Sequence, residues 1–283
     1  SLELVHTQSG ERAGSLIHTI DKTITGGGAR LLSAWLSAPL TDPHAVNARL
    51  DFVDFFISRS GLRADIATLL KATPDIERAL ARLSLERGGP RDLQATARGL
   101  ASAMACRSRL EASGDQITSL PERVGEAAHL CGNHSDLVDL LSRALKADPP
   151  LSAKDGGFVA DGFDSALDEF RQLRDESRRL IAGLEARYRD ETGIAALKIK
   201  HNNVLGYHVD VTAKNAEKLM SAPHDQSFIH RQTLANSVRF STRELADLAG
   251  RISRAAEQAS ALEQAIFDDL SATVLAASAS IAD

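Results

Sequence analysis

Seven basic side chains, Lys198, Lys200, Lys214, Lys218, Arg231, Arg239 and Arg243, lie between residues 195 and 243. Only three acidic ones, Asp210, Glu217 and Asp225, accompany them, so the window carries a net +4. The other residues hold 26 Lys and Arg against 35 Asp and Glu, a net −9. Four of the nine histidines, His201, His208, His224 and His230, fall in the same window, as do Asn202, Asn203 and Asn236. All are hydrogen-bond donors. Concentrated on an otherwise acidic chain, they would localise contact with an anion, phosphate above all. Charge alone also admits a blander role, in which a thinly cored segment carries solvating lysines.

No catalytic frame accompanies these donors. The chain has no Gly-x-Ser-x-Gly elbow, no His-Glu-x-x-His and no cysteine–histidine pairing with a recognisable local frame. Gly26-Gly27-Gly28 is followed by Ala29-Arg30 and not by Lys-Ser/Thr, so it is no phosphate loop. Those glycines instead end one helix and admit the next. His129-Leu130-Cys131-Gly132-Asn133-His134 has metal-binding residue types but no second cluster to complete about four ligands, and reads as helix-end polar residues. The residues describe a binding or mechanical part and not an enzyme.

The elements that must position the donors follow from periodicity. Leu197 and Ile199, then Tyr207, Val209 and Val211, alternate with Lys198, Lys200, His208 and Asp210, the signature of half-buried strands. The turn is expected at His201–Val204, because Asn tolerates positive φ. A second strand pair is expected at Ser227–Leu234 and Ser237–Ser241, with Ala235-Asn236 at the turn. Tyr207 is read as the sheet's apolar anchor, and Gly206 as permitting a bulge or close packing. Before the segment, Leu167, Phe170, Leu173, Ser177, Leu180, Ile181, Leu184 and Tyr188 recur every three or four residues. After it, so do Leu245, Leu248, Ile252, Ala255, Ala259, Leu262, Ile266 and Leu270. Two long helices joined by a compact insertion pair antiparallel. The fold class is mainly α, many-helixed, with two long antiparallel helices carrying a small inserted antiparallel β-sheet.

Upstream, a short helix is expected over Glu11–Ile20, and Trp35 is assigned to core packing. Asp42-Pro43 is a cap plus first-turn proline for a helix through Val46, Leu50, Val53, Phe56 and Ile57. Pro74 opens a helix to Leu85, and Arg91-Asp92-Leu93 starts another to about Leu110. Residues 114–150 hold shorter helices. Apolar content of 43% and charged content of 25% are ordinary for a globular protein, and only 4% is aromatic. Two cysteines without redox or metal spacing, no signal peptide and no membrane-length apolar run lead to a cytoplasmic expectation.

Several segments together resemble the MutS family of DNA mismatch-repair proteins, in its core (lever) and clamp domains. They are Ser15-Leu16-x-x-x-Ile20-Asp21-x-Thr23-x-Thr25-x-x-Gly28-x-Arg30-Leu31-Leu32-x-x-Trp35-Leu36-x-x-Pro39-Leu40, Asp75-Ile76-Glu77-Arg78-x-Leu80-Ala81-Arg82-Leu83 with Pro90-Arg91-Asp92-Leu93, and Lys154-Asp155-Gly156-Gly157 leading to Gly162-Phe163 and Leu167-Asp168. Within the insertion, Leu197-Lys198-Ile199-x-x-Asn202-x-Val204-x-Gly206-Tyr207 and Arg231-Gln232-Thr233-Leu234-x-Asn236-x-x-Arg239-Phe240 complete the ordered set. The resemblance implies a lever over residues 1–193 and 244–283 and a clamp over 194–243. It implies a sequence-blind grip on the backbone of double-stranded DNA, through Asn202, Asn203, Asn236 and Arg239 first, and Lys198, Lys200, His201 and Arg231 second. It places the mismatch-reading domain, the connector and the ATPase, with its ATP and magnesium, outside this chain, and implies a full-length homodimer. It expects no catalytic residue, metal or cofactor in these residues, and no membrane partner. A second reading is a coiled-coil spacer whose sheet is a protein-docking head, with Phe228, Ile229 and Phe240 lining an apolar contact.

Overall fold

The computed structural model describes residues 3–113 and 120–282, which form two compact units. The expectation of short helices over 114–150 falls partly on 114–119, outside the described residues. The first unit comprises residues up to Ala160 together with Ile266 onward. Its helices include α1 (Leu16–Ile20), α2 (Gly26–Ser37), α3 (Pro43–Ser58), α4 (Ser60–Ala72), α5 (Ile76–Ser84), α6 (Pro90–Glu111), α7 (Glu122–Leu130) and α8 (Ser135–Ala144). The central helix is α6, which buries Leu93, Thr96, Ala97, Leu100, Cys106 and Leu110. Gly99 lets α5 approach it, because a Cβ there would lie 2.2 Å from Ile76 Cγ1. Phe55, Leu62, Leu110, Val124 and Ala128 close a second cluster among α3, α4, α6 and α7.

Local chemistry sets the helix starts. Asp42 and Asp75 accept from the backbone N–H groups of Ala45 and Arg78, and Pro43 occupies the first turn of α3. Three expectations shift. The helix anticipated from Glu11 begins only at Leu16, because Gly14 has φ +91° and Ser15 is its cap. The triple glycine does not separate two helices; it is the first turn of α2, capped by Thr25. Trp35 is not core: it is 41% exposed, its ring covered by the Arg49 guanidinium at 3.7 Å. Likewise α3 buries Phe55 and leaves Leu50, Val53 and Ile57 exposed.

The second unit, Asp161–Ala265, contains α9 (Ser165–Thr192), β1 (Lys198–Asn202), β2 (Gly206–Thr212), α10 (Ala213–Met220), β3 (Ile229–Thr233), β4 (Ser237–Ser241) and the start of α11 (Arg243–Ala276). Tyr188 meets Thr242, Arg187 meets Glu244, and Arg171 meets the buried Glu263. Partner numbers rise on α11 as they fall on α9, so the two helices run antiparallel. The sheet order is β1-β2-β4-β3, every neighbouring pair antiparallel. Its core face, with Leu197, Val209, Val211, Val238 and Phe240, packs with Ala216 and Leu219 of α10 and with Ile181, Leu184, Tyr188, Leu245 and Leu248. Helix α10 was not anticipated from the sequence.

Candidate nucleic-acid interface

The two turns of the sheet have different builds. Asn202 ends β1, and its Oδ1 accepts from the N–H groups of Val204 and Leu205 at 2.9 and 2.8 Å. That is an Asx turn, so this oxygen is committed to turn geometry while the Nδ2 donors are not needed by it. The tip itself is residues 203–205, one or two residues later than the periodicity suggested. Gly206 re-enters β2 at φ +64° with nothing within 4 Å of a built Cβ, so its requirement is backbone handedness and not close packing. Tyr207 is only partly buried, its ring 4.9 Å from His201, and the anchoring role belongs to Phe240 and Val209 instead. Asn203 and Asn236 are exposed turn residues without side-chain hydrogen bonds among the described residues.

Register decides which donors share a surface. Lys198 stands opposite Asp210, Asp210 opposite Arg239, and Arg239 opposite Gln232, one row across all four strands. Lys200 stands opposite His208, and Asn202 opposite Gly206, on the same face. His201 is on the other face with Ile199 and Tyr207. Arg231 sits on the edge strand β3 at an irregularity between His230 and Gln232, exposed to solvent. An edge arginine also discourages strand-to-strand association, which is reason enough for its presence there. Because β1 and β4 run the same way, the 203–205 tip and the 234–236 turn lie at opposite ends of the sheet. The six residue-to-residue steps of β2 from Gly206 to Thr212 separate those ends by roughly 20 Å. Asn202 and Asn203 are therefore not brought together with Asn236.

The cations divide by partner. Lys200 Nζ is 2.9 Å from Asp210 Oδ1, and Arg239 Nε is 3.7 Å from Asp210 Oδ2. Ser237 donates to the same Oδ2 at 3.3 Å, and Arg239 Nη1 donates to Gln232 at 2.8 Å. Burial by itself raises the Asp210 carboxyl, but the Lys200 hydrogen bond and charge, Ser237 and the His208 ring outweigh it and hold it below the usual carboxylate range. Lys198 and Arg231 have no ion-pair partner among the described residues and are exposed. Sequence reasoning counted Asp210 as one acid among three and missed that it gathers two of the cations. The alternation put it in line with them, but only the register shows which residue faces which. His208, counted among the donors from sequence, is instead buried at 2% exposure, with Nδ1 3.0 Å from the Gly206 carbonyl.

A docking head would need Phe228 and Phe240 at the surface. Both are buried, and Ile229 alone is exposed.

Comparison with known proteins fits this architecture. The family model "MutS domain III" matches residues 1–283. The chain belongs to the MutS domain III family. It is 50% identical over 275 residues to the DNA mismatch repair protein MutS of Rhodopseudomonas palustris strain HaA2, covering 97% of this chain and 30% of that protein. To the same-named protein of Azorhizobium caulinodans it is 50% identical over 279 residues, 98% of this chain and 29% of the relative. For Ruegeria pomeroyi the figures are 48% over 275 residues, 97% and 31%. The chain thus spans about a third of the length of the MutS proteins it matches. No helix among the described residues is long and apolar enough to cross a membrane.

Proposed function

We propose that this MutS domain III chain grips duplex DNA through its phosphates with the β1–β4 sheet, and that α9 and α11 couple that grip mechanically to an ATPase elsewhere in a longer mismatch-repair protein. The single observation that carries the reading is the charge separation: +4 within residues 195–243 against −9 for the rest. Phosphate contacts from Lys, Arg, Asn and backbone N–H give affinity without sequence information, which suits a protein that must inspect any sequence. Of the four cations on the strands, Lys198 and Arg231 are the ones free to make such contacts, and Asn203 and Asn236 supply neutral donors at the two turns. At 28 residues, α9 is about 42 Å long, so a tilt of about 10° at one end displaces the other by about 7 Å. The triple glycine is an ordinary helix start and not a phosphate loop, and on this reading ATP and magnesium act in other parts of the longer protein, which works as a homodimer.

The test is fluorescence anisotropy of a labelled random-sequence duplex at about 20 and about 200 mM salt. Three to five phosphate contacts predict a loss of roughly a thousandfold or more over that tenfold range, with no preference for a mismatch. An affinity indifferent to salt would instead identify an apolar docking surface.

A further inference from the structure

The one carboxylate on the strands neutralises two of the cations that a phosphate grip would use. From this we infer that Asp210 limits the affinity of the grip, holding Lys200 and Arg239 in internal pairs so that DNA is held loosely and can be released. The inference rests on the DNA-binding reading above. Asp210 lies in the row Lys198–Asp210–Arg239–Gln232, with Lys200 reaching it diagonally at 2.9 Å and Arg239 facing it at 3.7 Å. Its side chain is 13% exposed, whereas that of Lys200 is 53% exposed. The ammonium can therefore reach solvent but is drawn back to a largely shielded anion. Ser237 holds the carboxylate by donating to Oδ2, so the anion cannot swing away when phosphate arrives. A phosphate must compete with Asp210 for Lys200 and Arg239, and each cation it fails to win releases no counterion. The other two acids of the segment, Glu217 and Asp225, form no ion pair among the described residues and are exposed. They lower the net charge without occupying a cation. Asp210 is thus a positioning residue acting through Lys200 and Arg239.

The experiment compares wild type, Asp210→Asn and Asp225→Asn on the same duplex across a salt series, with a thermal melt of each. The two substitutions change net charge identically, but only the first releases cations. Asp210→Asn should tighten binding roughly 3- to 10-fold at low salt and steepen the slope of log K against log salt by about one, while Asp225→Asn leaves the slope unchanged. A double-mutant cycle guards against a folding effect. Lys200→Met should weaken binding less than 2-fold in wild type and roughly 5-fold or more in the Asp210→Asn background. Equal losses in both backgrounds, or the same gain from Asp225→Asn, overturn the inference while leaving DNA binding intact. If neither wild type nor any variant binds at low salt, the DNA reading itself fails.

Discussion

Asn202 shows how far a residue's type can be read from sequence and where the reading stops. Its abundance in turns was visible, and so was its place among donors, but which atom serves which purpose required the hairpin geometry. Its two roles can be separated because they use different atoms. Asn202→Asp keeps an oxygen for the Val204 and Leu205 N–H groups and removes the amide donors. It should therefore melt within about 0.5 kcal/mol of wild type yet bind DNA more weakly. Asn202→Ala removes the acceptor and should cost about 1–2 kcal/mol in a denaturant titration. Asp210 makes a pH prediction of determined sign. Its folded carboxyl is held below the ordinary value, so its contribution to stability is present above about pH 4 and lost as the pH falls through the folded value. Asp210→Asn should lack that part of the acid-side decline in a urea midpoint measured between about pH 5 and pH 2.5.

At the scale of elements, the sequence placed the long helices and all four strands; the helices, β2 and β4 bury a clear stripe, whereas β3 buries none of its own residues. Leu197, Val209, Val211, Val238 and Phe240 were legible as a core face for that reason. On α3 the periodicity located the helix, but its apolar residues do not all mean burial. Leu50, Val53 and Ile57 form an amphipathic stripe on α3 that these residues leave in solvent, while Phe55 turns inward. Helix α10 escaped notice because only Ala216 and Leu219 of its eight residues are buried, too few for a period. The free edge of β1 is also closed by a device the sequence hides. Glu185 of α9 accepts from Ile199 N–H at 2.7 Å, and Arg189, paired with Glu185, donates to the Leu197 carbonyl at 2.7 Å. Two helical glycines should respond oppositely to alanine. At Gly99 the new methyl meets Ile76, and a loss of about 1–3 kcal/mol is expected. At Gly183, in the middle of α9 with open space around it, alanine should be neutral or stabilise by up to about 1 kcal/mol. Chemical denaturation of both variants checks the contrast.

For the molecule as a whole, the informative property is where charge sits and not how much there is. A net charge of −5 argues against a polyanionic partner, and only its division into a basic segment and an acidic remainder reverses that conclusion. The ordered set of motifs made the family legible from sequence, and the match over residues 1–283 establishes it. The strand register was not legible, since it depends on the turn length and on the α10 excursion between β2 and β3. It follows that the separation of the two asparagine turns, and the pairing of Lys200 and Arg239 with Asp210, could be known only from the fold. The most direct test of the account replaces the two unpaired cations of the sheet, as Lys198→Glu with Arg231→Glu, and measures duplex affinity at about 20 mM salt. The control exchanges Lys71 and Arg87, both exposed on the first unit, in the same way. The account predicts that the sheet pair loses at least roughly tenfold in affinity while the control, equal in net charge, loses little. Equal losses from the two pairs, or none from either, would contradict it.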